Sequence, residues 1–247
     1  MTATRKLFLL HFPANALLLW LGYQWLGIAE STTLNLVASA AGAIAILALA
    51  CWLHSTTLGF FRSGKGEEAG LAASFRAALG TLPAFVLAAM IVLALYGALA
   101  WAAGASGQPA FRLASWLTLT LRVAVKPATV AQVFLAGFWI VRWVVLPVAL
   151  MPAACGIAAR GWRGLTECTW RSNWRYWIAV PVLLLAGLVL PLLLVSWVPL
   201  TGGFALEILS FTVRTIVAYL LFICAVWILE VRTAERALGG ATGAQAK

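Results

Sequence analysis

Six stretches of this chain run for roughly twenty residues or more with hardly a charge, the length a helix needs to cross the ~30 Å hydrocarbon core of a bilayer. They fall at Leu7 to Ala29, Thr33 to His54, Leu82 to Ala103, Val130 to Cys155, Tyr176 to Val198 and Phe204 to Leu229. In hydrocarbon the backbone finds no water to bond, so apolar runs of this length fold as helices. The sequence therefore predicts an all-α polytopic membrane protein with about six transmembrane helices. One transmembrane domain is expected over residues 1–236, followed by a disordered tail at 237–247, "ALGGATGAQAK". The first run follows Arg5 and Lys6 as a signal peptide would, but His11, Pro13 and Asn15 interrupt it and no small-residue cleavage site follows. It reads as a retained anchor.

Sidedness follows from Lys and Arg outside the spans. Twelve fall in the N-terminal segment, the two loops on its side and the C-terminal segment, against three on the other side, Arg112, Arg122 and Lys126. The positive-inside rule then puts both termini in the cytoplasm, in the inner membrane of a bacterium. The net charge of +10 is explained by this sidedness. Anionic lipid headgroups are the expected partner of such charges, and nucleic acid is not.

With 10% charged residues, no Asp, seven Glu and two His, the chain lacks most of the groups that general acid–base catalysis or hard-metal cages require. No enzyme activity and no cofactor is expected. Cys51, Cys155, Cys168 and Cys224 show no C-x-x-C spacing and read as reduced thiols.

Two segments are neither span nor plain loop. From Phe111 to Lys126, Arg112, Ser115, Thr118 or Leu119, and Arg122 share one helical stripe, which suits a helix lying in the outer interface. From Leu117 onward the same stretch alternates with period two, so a short strand-like excursion is the alternative. From Gly161 to Trp177, Arg163, Glu167, Arg171 and Arg175 recur every four residues beside Trp170, Trp174 and Trp177. Arginine and tryptophan together describe a cytoplasmic elbow helix at headgroup depth, with Arg160 at its start.

Shifting the chain by 95 residues lays Lys65–Phe85 over Arg160–Val180, with Gly66 on Gly161, Phe75 on Trp170 and Arg76 on Arg171. A parallel repeat of span, basic aromatic elbow and span is one reading; chance similarity of two elbows is the other. The elbow pattern, with its "RGL" and small residues leading into a span, resembles the membrane domain that accompanies bacterial glycerophosphodiester phosphodiesterases and related inner-membrane families. The resemblance is confined to the two elbows. It implies a membrane domain alone, because no phosphodiesterase catalytic domain is present.

Arg142 stands inside the fourth run, with uncharged flanks from Ala128 to Val141 and from Trp143 to Ala159. A central arginine facing lipid costs from about 3 to more than 10 kcal/mol, so it must face the bundle, water or a partner. It is expected to hold an anion, such as a lipid phosphate or an acidic residue of another subunit. The alternative is a structural arginine bonded to backbone carbonyls or to Asn35 and Ser39. Arg214 shares a helical face with Glu207 and Ser210 and can be satisfied there. Together Arg112, Arg122, Lys126, Arg214 and Arg142 would grade positive charge inward, as a path for an anionic headgroup would.

His11 and His54 lie at similar depth in neighbouring antiparallel spans, so their rings could meet and hold a haem b, or sit apart as two interfacial histidines. The function expected first is a non-enzymatic protein that binds anionic lipid or serves as a membrane subunit of a larger complex. A permease component for an anionic or lipid-like substrate, and a bis-histidine haem redox subunit, are the alternatives.

Overall fold

In the computed structural model, residues 2–29, 31–62, 70–166, 174–198 and 203–242 are described, and all regular structure among them is helical. In order these are α1 (Ala3–Leu26), α2 (Thr33–Arg62), α3 (Leu71–Gly104), α4 (Gly107–Leu121), α5 (Pro127–Ile140), a π-helical turn (Val141–Val145), α6 (Leu146–Arg160), α7 (Arg163–Thr166), α8 (Trp174–Ser196) and α9 (Phe204–Thr242). Five segments are long and apolar enough to cross a membrane: Thr33–Arg62, Leu71–Gly104, Pro127–Arg160, Trp177–Ser196 and Phe204–Ala234. The 24-residue α1 stands apart from them because His11, Pro13, Asn15 and Gln24 lower its hydropathy.

The surface agrees with a membrane. Leu34, Trp101, Leu119, Val198 and Phe204 are each more than three-quarters exposed. A soluble monomer seldom bares apolar surface on this scale, whereas acyl chains solvate it freely.

The described chain forms two compact units, Met1–Ala88 with Met151–Lys247, and Ala89–Leu150. In the first, α9 packs along α8 and α2 and also meets α1. The approach to α8 is close: a Cβ placed on buried Gly187 would lie 2.6 Å from the Ala225 Cβ. Small residues at such a crossing let two backbones near each other, which is how helices gain packing energy in lipid.

In the second unit, α4 and α5 form a helical hairpin. Ala110 and Ala114, with Leu113 and Leu117, pack against Val130, Ala131 and Phe134. That i, i+3, i+4, i+7 spacing is helical, and because α4 stays helical through Leu121 and residues 122–126 form no strand, the strand alternative from Leu117 is corrected. Fifteen residues reach only about 22 Å, too short to span. Arg122 ends α4 in the left-handed region, at φ 53° and ψ 29°. The Val125 amide then donates to the Thr118 hydroxyl at 3.1 Å, and Pro127 opens α5.

Three boundaries differ from the sequence reading. The first elbow does not bend away from its span, since α3 runs unbroken from Leu71 through Pro83 to Gly104. Proline is tolerated there because neighbouring groups in a membrane bundle can satisfy the freed carbonyl. At the second elbow, Gly161 adopts φ +55° and ends α6, with its amide donating to the Ile157 carbonyl at 2.8 Å. The short α7 follows, while Glu167, Trp170 and Arg171 lie outside the described residues. Lastly, α9 continues to Thr242, six residues into the segment read as a disordered tail. A helix already formed continues into Ala-Leu-Gly-Gly-Ala-Thr without a new nucleation step, which is the costly one, although the two glycines weaken each added turn.

Candidate functional site

The chain's two histidines and one of its glutamates meet. On α1, Leu7, His11 and Asn15 are buried at spacing four, which points all three into the first unit. On α2, Ser55, Thr56 and Thr57 are all buried, and Thr57 meets His11. On α9, Ile223, Glu230 and Ala234 are buried, and Trp227 lies on their face at i+4 from Ile223. Helical periodicity thus carries Glu230 inward, although it follows directly on an apolar run and reads as lying just outside the last span.

The His54 Nδ1 is hydrogen-bonded to the Glu230 Oε1. The other oxygen, Oε2, lies 3.8 Å from the His11 Nε2 and is buried with no hydrogen-bond partner among the described residues. The imidazole centroids of His11 and His54 are 5.7 Å apart. His11 Nε2 also lies 2.8 Å from the Thr57 Oγ1. Thr57 gives its own proton to the Leu53 carbonyl at 3.1 Å, so its oxygen accepts from His11, and the ring proton sits on Nε2. Asn15 Nδ2 donates to the His11 carbonyl at 2.9 Å and faces Nδ1 at 3.3 Å. Trp227 closes the cluster, with its ring 5.2 Å from those of both His11 and Phe8 and 5.3 Å from that of Phe61.

One nitrogen from each histidine and a carboxylate oxygen all lie within 4.8 Å of one another, which is the donor set of a metal site. A haem between the rings would have to displace the carboxylate that faces both of them. A single ion would not.

Arg142 forms a separate arrangement in the second unit. It sits on the π-helical turn, where the Leu146 amide bonds back to the Val141 carbonyl. Such turns widen the helix by one residue and commonly mark functional positions. Its guanidinium carbon is 5.4 Å from the Tyr96 ring centroid and 5.0 Å from that of Trp143. The two rings meet edge to face at 5.5 Å. Each desolvated cation–π contact is worth about 2 kcal/mol, which offsets part of the cost of the charge. Among the described residues its buried Nε has no hydrogen-bond acceptor, so the rings leave one donor unanswered. Of the two polar groups suggested for Arg142, Ser39 accepts from Trp25 Nε1 through its carbonyl at 2.8 Å and its hydroxyl at 3.1 Å.

The remaining basic residues divide. Arg112, Arg122 and Lys126 are exposed in the second unit. Arg214 belongs to the first, where Nη1 donates to the Leu194 and Val195 carbonyls at 3.2 and 3.3 Å and Nε to the Ser210 carbonyl at 3.2 Å. It closes the C-terminal turn of α8, where a cation also meets the negative end of the helix dipole. Arg160 and Arg163 are exposed at the turn after α6. Trp174 and Arg175 begin α8.

Compared with protein-family models, with curated proteins and with solved structures, the chain has no match in any of the three.

Proposed function

We propose that the protein is a non-enzymatic, six-span inner-membrane protein that binds an anionic lipid headgroup, with α1 as the sixth span and both termini cytoplasmic. The observation that carries this reading is Arg142, a cation within a membrane helix whose aromatic neighbours leave its buried Nε without an acceptor among the described residues. A phosphate oxygen supplies that acceptor and neutralises the charge. Exposed Arg112, Arg122 and Lys126 in the same unit give the headgroup a basic approach. The two elbows are read as parallel repeats, and their resemblance to the membrane domain accompanying glycerophosphodiester phosphodiesterases fits a lipid-facing role.

The test is native mass spectrometry of the protein purified in mild detergent, with bound lipids identified. Wild type is expected to retain phosphatidylglycerol or cardiolipin, and Arg142→Leu to lose it. Co-purifying protein chains without bound lipid would instead favour a subunit of a larger complex, in which Arg142 pairs with a partner's carboxylate. Arg142-dependent uptake of an anion into proteoliposomes would favour a permease component.

A further inference from the structure

We propose that His11, His54 and Glu230 form a binding site for one divalent transition-metal ion of the zinc or cobalt class, with the Thr57 hydroxyl beside the fourth position. The site is independent of the lipid reading, because none of its residues belongs to the unit that carries Arg142.

Three observations converge. The donors are two imidazole nitrogens and a carboxylate oxygen, the set that zinc-class ions prefer when one coordination position stays open. They come from α1, α2 and α9 and lie within 4.8 Å of one another. Around an ion bonded at about 2.0–2.2 Å, neighbouring donors stand roughly 3.3 Å apart. To reach that spacing the His11 ring draws in, while the hydrogen-bonded His54–Glu230 pair parts to admit the ion and the His54 proton moves from Nδ1 to Nε2.

The second observation is the orphaned oxygen. Glu230 is 4% exposed, and a buried carboxylate oxygen without a donor is costly. Its free side faces His11 Nε2 at 3.8 Å, a gap too long for a hydrogen bond and wide enough for an ion to bridge.

The third is the surroundings. Thr57 Oγ1, at 2.8 Å from His11 Nε2, lies where a further oxygen ligand or a ligand-bound water is needed. Asn15 stands behind the same ring at Nδ1. When Nε2 takes the metal its proton passes to Nδ1, and Asn15 turns its amide oxygen to receive it, the outer-shell hydrogen bond that metal-bound histidines usually make. The His54 side chain is 29% exposed while that of Glu230 is 5% exposed, so an ion reaches the cluster past His54.

The experiment uses the full chain in detergent, stripped with chelator and titrated with Co²⁺, then with Zn²⁺ in competition. Visible ligand-field bands saturating at one Co²⁺ per chain are expected, displaced by Zn²⁺, with a Kd of 10 µM or tighter. Glu230→Gln and His54→Asn should each weaken Co²⁺ binding at least tenfold. Zn²⁺ should raise the thermal midpoint of the wild type and Mg²⁺ should not, a readout that does not depend on any variant folding. Absence of bands at millimolar Co²⁺, or bands and affinity unchanged in both variants, overturns the proposal. Loss of lipid retention in Arg142→Leu with the Co²⁺ bands intact would show that the two sites stand or fall separately.

Discussion

Gly164 lies against Gly156 with no room for a side chain on either: a Cβ on Gly164 would fall 2.2 Å from both the carbonyl carbon and the oxygen of Gly156. The contact exists because Gly161, in the left-handed region, folds the chain back on the end of α6. The neighbouring atoms are backbone and cannot rotate away.

Gly164→Ala is therefore expected to destabilise the protein by about 1–3 kcal/mol, as overpacking typically does. Gly137→Ala is the control, since among the described residues nothing lies within 4 Å of its Cβ position, three residues before the end of α5. It should be neutral or stabilising by up to about 1 kcal/mol. Thermal melts in detergent compare the two, and a Gly164→Ala protein as stable as wild type would refute the close approach.

Thr57→Val keeps the shape of the side chain and removes the oxygen that receives the His11 Nε2 proton. The buried N–H is left without an acceptor, which costs about 1–3 kcal/mol. Thr56→Val offers the comparison, because its hydroxyl donates only to the Trp52 carbonyl of its own helix, at 2.7 Å. Equal melting temperatures for the two variants would contradict the assigned ring tautomer.

Arg214→Leu removes three donations, two to the carbonyls that end α8. The last turn of α8 should fray, and amides from about Leu192 to Trp197 should exchange at least severalfold faster by hydrogen–deuterium exchange mass spectrometry. Exchange unchanged there would mean that the guanidinium serves elsewhere, as the anion path read from the sequence requires.

Arg122 holds a left-handed conformation that costs a non-glycine residue about 1–2 kcal/mol. Arg122→Gly should stabilise the α4–α5 hairpin by up to about that amount, less the added freedom of glycine in the unfolded chain. A β-branched residue, Arg122→Val, should do the opposite. The sign of the difference between the two midpoints decides it.

The six-span reading predicts a cytoplasmic C-terminus and an outer-side turn between α3 and α4. Green fluorescent protein fused after Lys247 should fluoresce, and alkaline phosphatase fused at Gly104 should be active. The reverse pattern would invert the topology.

The helices were legible in the sequence because a bilayer leaves an uncharged run of twenty residues one way to satisfy its backbone. The same physics marked Arg142 as a charge needing a partner, since its cost depends on depth and depth follows from uncharged flanks. It could not name Tyr96, which is 46 residues away in the chain and brought near only by tertiary packing. His11 and His54 were legible as a pair at equal depth, because depth is one-dimensional. Which way their rings turn is not, and Glu230 went unnoticed because a charge one residue beyond an apolar run usually marks a helix end. Only the folded structure, by continuing α9 past Leu229 on the face of Ile223 and Trp227, brought that carboxylate inside. Hydropathy determines what enters the membrane, while the rotation of each helix about its own axis, fixed by packing, decides which polar groups meet there.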